Sequence, residues 1–296
     1  MVQTSTVEEQ IVAWLDSMNI TATRDDSGIY YYSEVENPSG ADVVQESVVA
    51  IYYTLQDLDS NIIASHQRVN GDSLIFKHGV SAVYPIGLDM AVSVMKVGET
   101  YHFLLPPDQA YEGLTSGAIN PKSIILLTLE VVSVENESDI YIREVSAIDD
   151  YIDNNYLDSL EINPVDSTVF FAVSGIRTKK LREGIGSAPI NGDTIILDYT
   201  SYKLDSTNIE ITSGFQFYYG SNEPQPLIPG FEFGVSMMQT NERSLIMLPS
   251  SQAYRESALV IPASIVQDLI NDAIIPDYVA KVAPYTTLLF EVTRVD

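Results

Sequence analysis

The sequence predicts an α+β protein of two homologous domains, each an antiparallel sheet of short strands serving one short helix and preceded by an N-terminal helix. Three observations carry this expectation. LPPDQAY at 105–111 returns as LPSSQAY at 248–254, 143 positions later, and this spacing is too long for a solenoid repeat but suits a duplicated domain. Both halves run in the same order through a helix, an aromatic strand, a strand carrying YT, a Met-bearing segment and a Leu-rich strand. The strands are short and separated by turns, which favours antiparallel pairing over alternating βαβ units.

The elements follow in chain order. VEEQIVAWLDSM (7–18) sets Ile11, Val12, Trp14 and Leu15 near helical spacing, with Thr6 and Glu9 placed as a capping box. Its counterpart, SAIDDYIDNNYLDSL (146–160), puts Ile148, Ile152, Tyr156 and Leu160 on one apolar stripe. The β-prone DSGIYYYSEV (26–35) follows the first helix and DSTVFFAVSG (166–175) the second, and the two read as equivalent strands. VVAIYYTLQDLDSNI (48–62) then matches DTIILDYTSYKLDSTNI (193–209), which lays Tyr53 on Tyr199. LDMAVSVM (88–95) and FEFGVSMM (231–238) supply one short helix each, their methionines reading as core filler. MKVGETYHFLLPPDQAY (95–111) matches MQTNERSLIMLPSSQAY (238–254), and SIILLTLEVVSV (123–134) and TTLLFEVTRV (286–295) close the two copies. The boundary falls in the acidic ENESD (135–139), giving domains at 1–139 and 140–296.

Composition narrows the function. The 296 residues are 45% hydrophobic, enough for two buried cores. Forty-one Asp and Glu against 15 Lys and Arg give a formal charge of -26, which repels phosphate backbones, so nucleic acid is not an expected partner. The three histidines, His66, His78 and His102, lack metal-ligand spacing, and there is no cysteine. Phosphate-cradling glycine loops and a nucleophile elbow are absent as motifs, so no cofactor or metal is implied. No stretch approaches the roughly 18 apolar residues of a membrane span, and MVQTSTVEEQ lacks the basic and apolar regions of a signal peptide. What remains is a set of aromatic and apolar residues ahead of turns, suited to a dry pocket that holds an apolar side chain.

The YT strand, the LDSxN turn, the LIPGF element (227–231), the Met-bearing helix-to-strand turn, the PPDQAY loop and the closing TLLFEV strand together resemble FKBP-type peptidyl-prolyl cis-trans isomerases. The resemblance covers roughly 44–134 and 176–296. It is clearest in the second half, where GIRTKKLREGIGSAPINGDTIILDYT is similar to the family's entry and first core strands, followed by FQFYYG (215–220). It implies a half-barrel of antiparallel strands wrapped on one helix, with an apolar pocket that binds proline-containing or apolar polypeptide segments. The helix and aromatic strand ahead of each domain resemble the leader of FKBP-like lipoproteins of Bacteroidetes, implying a periplasmic or cell-surface protein with a lipid anchor ahead of this sequence.

The family's pocket positions fall on Tyr199, Ile211, Thr212, Phe215, Phe217, Leu227, Ile228, Phe231, Tyr254 and Phe290 in the second domain. In the first they fall on Tyr53, Ile63, Ala64, Leu74, Val83, Tyr84, Leu88, Tyr111 and Leu127. The resemblance gives Tyr254 the role of donating its hydroxyl to a bound peptide carbonyl. Thr212 and Ala64 stand where the family carries its pocket acid, and Phe231 and Leu88 where it carries a floor tryptophan. The first pocket is thus largely aliphatic and the poorer catalyst. Two functions stay open: a prolyl isomerase active in the second domain, and a non-catalytic binding or scaffold protein that kept the fold. The second domain also carries an insertion at about 255–283, including VQDLINDAIIPDYVAK (266–281), expected beside its pocket mouth as a lid, a docking element or a loop packed on the barrel.

Overall fold

A computed structural model describes residues 5–114, 117, 119–156, 169–170, 174–221, 227–255, 257–275 and 282–296. The chain divides into two units, Met1–Glu137 with Glu256–Ala283, and Ser138–Arg255 with Pro284–Asp296. The division near residue 137 falls in the ENESD segment. The insertion, in contrast, belongs to the first unit and not to the second, in whose sequence it lies.

In the first unit, α1 (Val7–Ser17) starts at the capping box: Glu9 N donates to Thr6 Oγ1 and Thr6 N to Glu9 Oε2, satisfying two N-terminal donors. Ile11 and Leu15, one turn apart, are its buried residues. They pack on Tyr30, Leu104 and Leu126 of the sheet and on Ile124 just ahead of its last strand, each such side chain contributing about 1.5–3 kcal/mol by leaving water. The sheet contains β1 (Thr23–Arg24), β2 (Tyr30–Val35), β3 (Val48–Asp57), β4 (Ile62–His66), β5 (Leu74–Lys77), β7 (Thr100–Leu105) and β8 (Ile125–Glu135). Its order is β1-β2-β7-β8-β3-β4, with β5 also paired to β3. β3, the central VVAIYY run, is covered on both faces, so it reads as continuously apolar instead of alternating. The face opposite α1 packs against α2 (Ile86–Val92) through Leu88, Ala91 and Val92. A separate two-residue strand, β6 (Val83–Tyr84), lies just ahead of that helix.

The second unit has the long helix α3 (Glu137–Tyr156), then β9 (Val169–Phe170), β10 (Arg177–Arg182), β11 (Thr194–Lys203), β12 (Asn208–Tyr218), α4 (Pro229–Val235), β13 (Arg243–Leu248) and β15 (Leu288–Arg294). Its sheet order, β12-β11-β15-β13-β10-β9, repeats the first unit's order strand for strand. Ile148 and Ile152 of α3 cover Leu245, Met247 and Leu289 on one face, and Arg177 clamps Asp149 through Nε at 2.9 Å and Nη2 at 3.1 Å. Leu160 lies outside the described residues.

This repeat corrects one equivalence. The partner of DSGIYYYSEV is SGIRTK, not DSTVFFAVSG. Ser27-Gly28-Ile29 enters β2 as Ser174-Gly175-Ile176 enters β10, with both glycines at positive φ (+89° and +70°) and both isoleucines buried. Val169–Phe170 of the DSTVFF stretch pairs with β10 as β1 pairs with β2. Residues 166–168 and 171–173 of that stretch lie outside the described residues. A second difference is local: β12 runs unbroken along β11, whereas the 3₁₀ turn Arg68–Asn70 separates β4 from β5.

Within the insertion, β14 (Leu259–Val260) pairs in parallel with β6, and a 3₁₀ turn (Ala263–Ile265) leads into α5 (Val266–Asn271). The Tyr84-Pro85 and Ile261-Pro262 bonds are cis. Residues 276–281 lie outside the described residues. Among the described residues no helix is long and apolar enough to cross a membrane.

Candidate functional site

The second unit gathers its aromatic residues around Tyr199 on β11. Phe215 from β12 stands edge-on at 5.9 Å, Phe231 from α4 at 5.4 Å and Phe290 from β15 at 6.0 Å, while Phe231 and Phe290 meet at 4.9 Å. Phe217 lies 5.9 Å from Phe215, its ring tilted by 30°. These separations and tilts are those at which ring quadrupoles attract. α4 comes close enough to deliver Phe231 because Gly234 lies against Ile246 and Gly230 against Leu248 and Gln252, where a Cβ would clash. Leu227 and Ile228 are half-buried just ahead of α4, where the Ile228 carbonyl accepts from Phe231 N and Glu232 N.

One expected residue is not part of this set. Ile211 is 76% exposed. Strict alternation from Phe217 and Phe215 would turn residue 211 inward, but a bulge intervenes: Leu197 pairs with Phe215 and Tyr199 with Thr212, leaving Ser213 and Gly214 opposite Asp198. Asp198 Oδ1 holds that bulge by accepting from Ser213 Oγ and Gly214 N, and Gly214 takes the positive φ (+67°). The extra residue turns Thr212 and Glu210 onto the Tyr199 face and Ile211 away from it.

Glu210 is the residue that the sequence does not reveal. Thr212 Oγ1 donates to its Oε1 at 3.1 Å, and its charge acts on both Tyr199 and Tyr254. Burial chiefly raises the Tyr254 hydroxyl above its ordinary pKa, with the charges of Glu210 and Tyr199 adding to it. Burial also raises Tyr199, with a Thr212 hydrogen bond working against it and Glu210 with it. A carboxylate therefore stands beside Tyr199 and within electrostatic reach of Tyr254, although Thr212 occupies the expected acid position. The only sequence signal was period two along β12 counted backward from Thr212.

Tyr254 is half-buried at the end of the LPSSQAY turn. Pro249 and Ala253 have φ/ψ of -65°/156° and -123°/-115°; Pro106 and Ala110 of LPPDQAY have -65°/159° and -113°/-105°. The repeated phrase thus folds as the same 3₁₀ turn twice. From α3, Glu144 Oε2 accepts from both Ser250 N and Ser250 Oγ at 2.9 Å, fixing the second copy.

The first unit's expected residues also converge. Tyr53, Val83, Leu88, Tyr111 and Leu127 share one buried cluster, with Ile63, Ala64, Leu74 and Tyr84 packed against it. Tyr111, expected at a rim, is instead fully enclosed: 1% exposed, its ring 5.8 Å from Tyr84, its hydroxyl donating to the Ile261 carbonyl at 2.7 Å. Burial pushes that phenol well above its ordinary range. Leu259, Val260, Ile261, Ile265 and Leu269 belong to the same cluster.

A model of the FKBP-type peptidyl-prolyl cis-trans isomerase family matches residues 40–132 and 186–294. The chain is 33% identical over 92 residues to FK506-binding protein 2 of Yarrowia lipolytica, covering 31% of this chain and 62% of that protein, less than two thirds of its length. Among solved structures, the three FKBP domains of wheat FKBP73 are similar at 18% identity, with 93% of this chain and 98% of that one covered and a TM-score of 0.33. The N-terminal domain of FKBP42 from Arabidopsis thaliana is similar at 21% identity, with coverage of 40% and 84% and a TM-score of 0.32.

Proposed function

Because the chain belongs to the FKBP-type peptidyl-prolyl cis-trans isomerase family, we propose that its second unit binds proline-containing or apolar peptide segments over the Tyr199 aromatic set and isomerises X-Pro bonds there. The observation that carries this reading is the convergence of Tyr199, Phe215, Phe231 and Phe290 on one face, with Tyr254 within electrostatic reach of Tyr199. Amide resonance sets a rotation barrier of about 18–20 kcal/mol, and no covalent intermediate is needed to lower it. A site that strips water from the amide and is complementary to the twisted state is sufficient. In this reading the aromatic set takes the proline ring, Tyr254 donates to the peptide carbonyl, and Glu210 with Thr212 orients Tyr199. The rate is expected to be modest, since the acid reaches this face from Glu210 and not from the usual position. A periplasmic or cell-surface location belongs to the same reading and rests on the leader ahead of each sheet.

A proline-limited refolding assay tests it. Wild type at micromolar concentration should accelerate the slow phase, and Tyr254→Phe should lower that acceleration about fivefold, the worth of one hydrogen bond of roughly 1 kcal/mol. No acceleration, together with an unchanged Tyr254→Phe variant, would sink the enzymatic reading. A second reading, a non-catalytic binding or scaffold protein of the cell envelope, is favoured by the burial of Phe217, Phe231 and Phe290 at 2%, 4% and 6% exposure. With that floor closed, a ligand meets mainly Tyr199, Phe215 and Tyr254. Peptide binding without acceleration would select it.

A further inference from the structure

We infer that the pocket of the first unit is a peptide-binding site already filled by the chain's own segment Leu259–Ile265, docked as a peptide ligand would be. Three hydrogen bonds hold it. Leu259 N donates to Ala82 O at 2.9 Å and Ile261 N to Tyr84 O at 2.8 Å, so the segment adds as a strand to the edge of β6. The third comes from Tyr111, whose hydroxyl donates to Ile261 O at 2.7 Å. Main-chain bonds from the edge give affinity to any extended segment, and the pocket selects apolar side chains.

The side chains supply that selection. Ile261, Ile265 and Leu269 are 0% exposed and share a cluster with Tyr53, Leu88, Leu127 and Tyr111; Pro262 is buried beside them. The docked sequence, LVIPASI, is an apolar run with a proline at its centre. A connecting segment normally runs over the surface, because its backbone polar groups need water. This one buries Leu259–Pro262 and Ile265 while Ala263 and Ser264 face solvent, and the amides of Leu259 and Ile261 and the Ile261 carbonyl all find partners in the first unit. Its base is tied where Ser257 Oγ donates to Val282 O at 3.0 Å.

Covalent attachment sets the consequence. A tethered segment competes at an effective concentration in the millimolar range, so a free peptide of ordinary affinity does not displace it. The first pocket is closed to outside clients by occupancy, in addition to being aliphatic. This inference is independent of whether the second pocket binds or isomerises anything.

Hydrogen exchange on the full chain tests it. If the segment is docked, the amides of Leu259 and Ile261 should exchange through a local opening, faster than the amides of β3 and β8. Tyr111→Phe should speed those two amides about fivefold and leave β3 and β8 unchanged. Exchange of all of them at one common rate in both proteins would overturn the inference, since the segment would then be an inseparable part of the core. A second measurement uses a chain in which residues 257–283 are replaced by a Gly/Ser linker, titrated with a labelled peptide of residues 257–268. Saturable binding, weakened about fivefold by Tyr111→Phe and absent with wild type, is expected. No binding by a linker chain whose β3 and β8 amides remain protected would overturn it, and if that chain fails to fold the exchange comparison decides.

Discussion

A phenol serves a bound carbonyl only while it keeps its proton, so under the proposed function the residues around Tyr254 would set the pH range of activity. Burial and the Glu210 charge both raise Tyr254 above the ordinary value of 10.0, and in each case the neutral form is the one favoured. The donor is therefore present throughout neutral and mildly alkaline solution, and refolding acceleration should be flat until above about pH 10. Glu210→Gln keeps an oxygen for Thr212 but removes the charge. Its expected effect is to bring the alkaline decline to lower pH, because tyrosinate is no longer opposed by a neighbouring anion. An alkaline limb unmoved by Glu210→Gln would show that Glu210 does not act on the working phenol. The aromatic members of this site were legible in the sequence because each motif carries its own ring. Glu210 and Ile211 were not, because the bulge at Ser213 and Gly214 exchanges inward and outward positions and depends on pairing with Asp198, sixteen residues away from Gly214.

At the scale of elements, the turn that presents Tyr254 is held from α3. Glu144 is buried, and burial raises its pKa above 4.5 against the opposing hydrogen bonds from Ser250 and the charge of Arg143. The folded state thus keeps this proton longer than the unfolded one. The resulting stability is fully present below about pH 4.5 and is lost as pH rises through the folded value. At pH 7 a neutral side chain that can still accept from Ser250 should do at least as well. Urea unfolding at pH 7 is expected to find Glu144→Gln equal to or more stable than wild type, and Glu144→Ala less stable by about 1–3 kcal/mol, the cost of orphaning buried donors. The reverse order would show that the ionised carboxylate is what the turn requires. Helices of this kind are legible because their signals are local: Thr6 and Glu9 for a cap, Ile148 and Ile152 for a stripe. The equivalence of β10 and β2 was obscured because DSTVFF has the aromatic content of DSGIYYYSEV, whereas the shared signal is the shorter SGI, a glycine turn before a buried isoleucine.

For the whole molecule, the two units repeat one strand order although few residues survive between copies, and this much was legible from the duplicated LPxxQAY phrase and the order of motifs around it. The allegiance of residues 256–283 was not. Its length and apolar residues were plain, but local periodicity cannot say which of two similar sheets an apolar segment buries against; only long-range contacts such as Tyr111 to Ile261 decide that. Duplication would ordinarily suggest two binding sites per chain and an avidity gain on a client with two prolines. With the first pocket filled by the chain's own segment, the prediction is different. Calorimetric titration of the full chain with a short apolar X-Pro peptide should give about one site per chain. Phe215→Ala and Tyr254→Phe should weaken that site, and Tyr53→Phe or Leu88→Val should leave its affinity unchanged. A client peptide carrying two proline segments on a long linker should bind no more tightly than one carrying a single segment, apart from a statistical factor of about two. Two sites of similar affinity, or a bivalent client held a hundredfold more tightly, would mean that the first pocket opens to outside peptides under ordinary conditions.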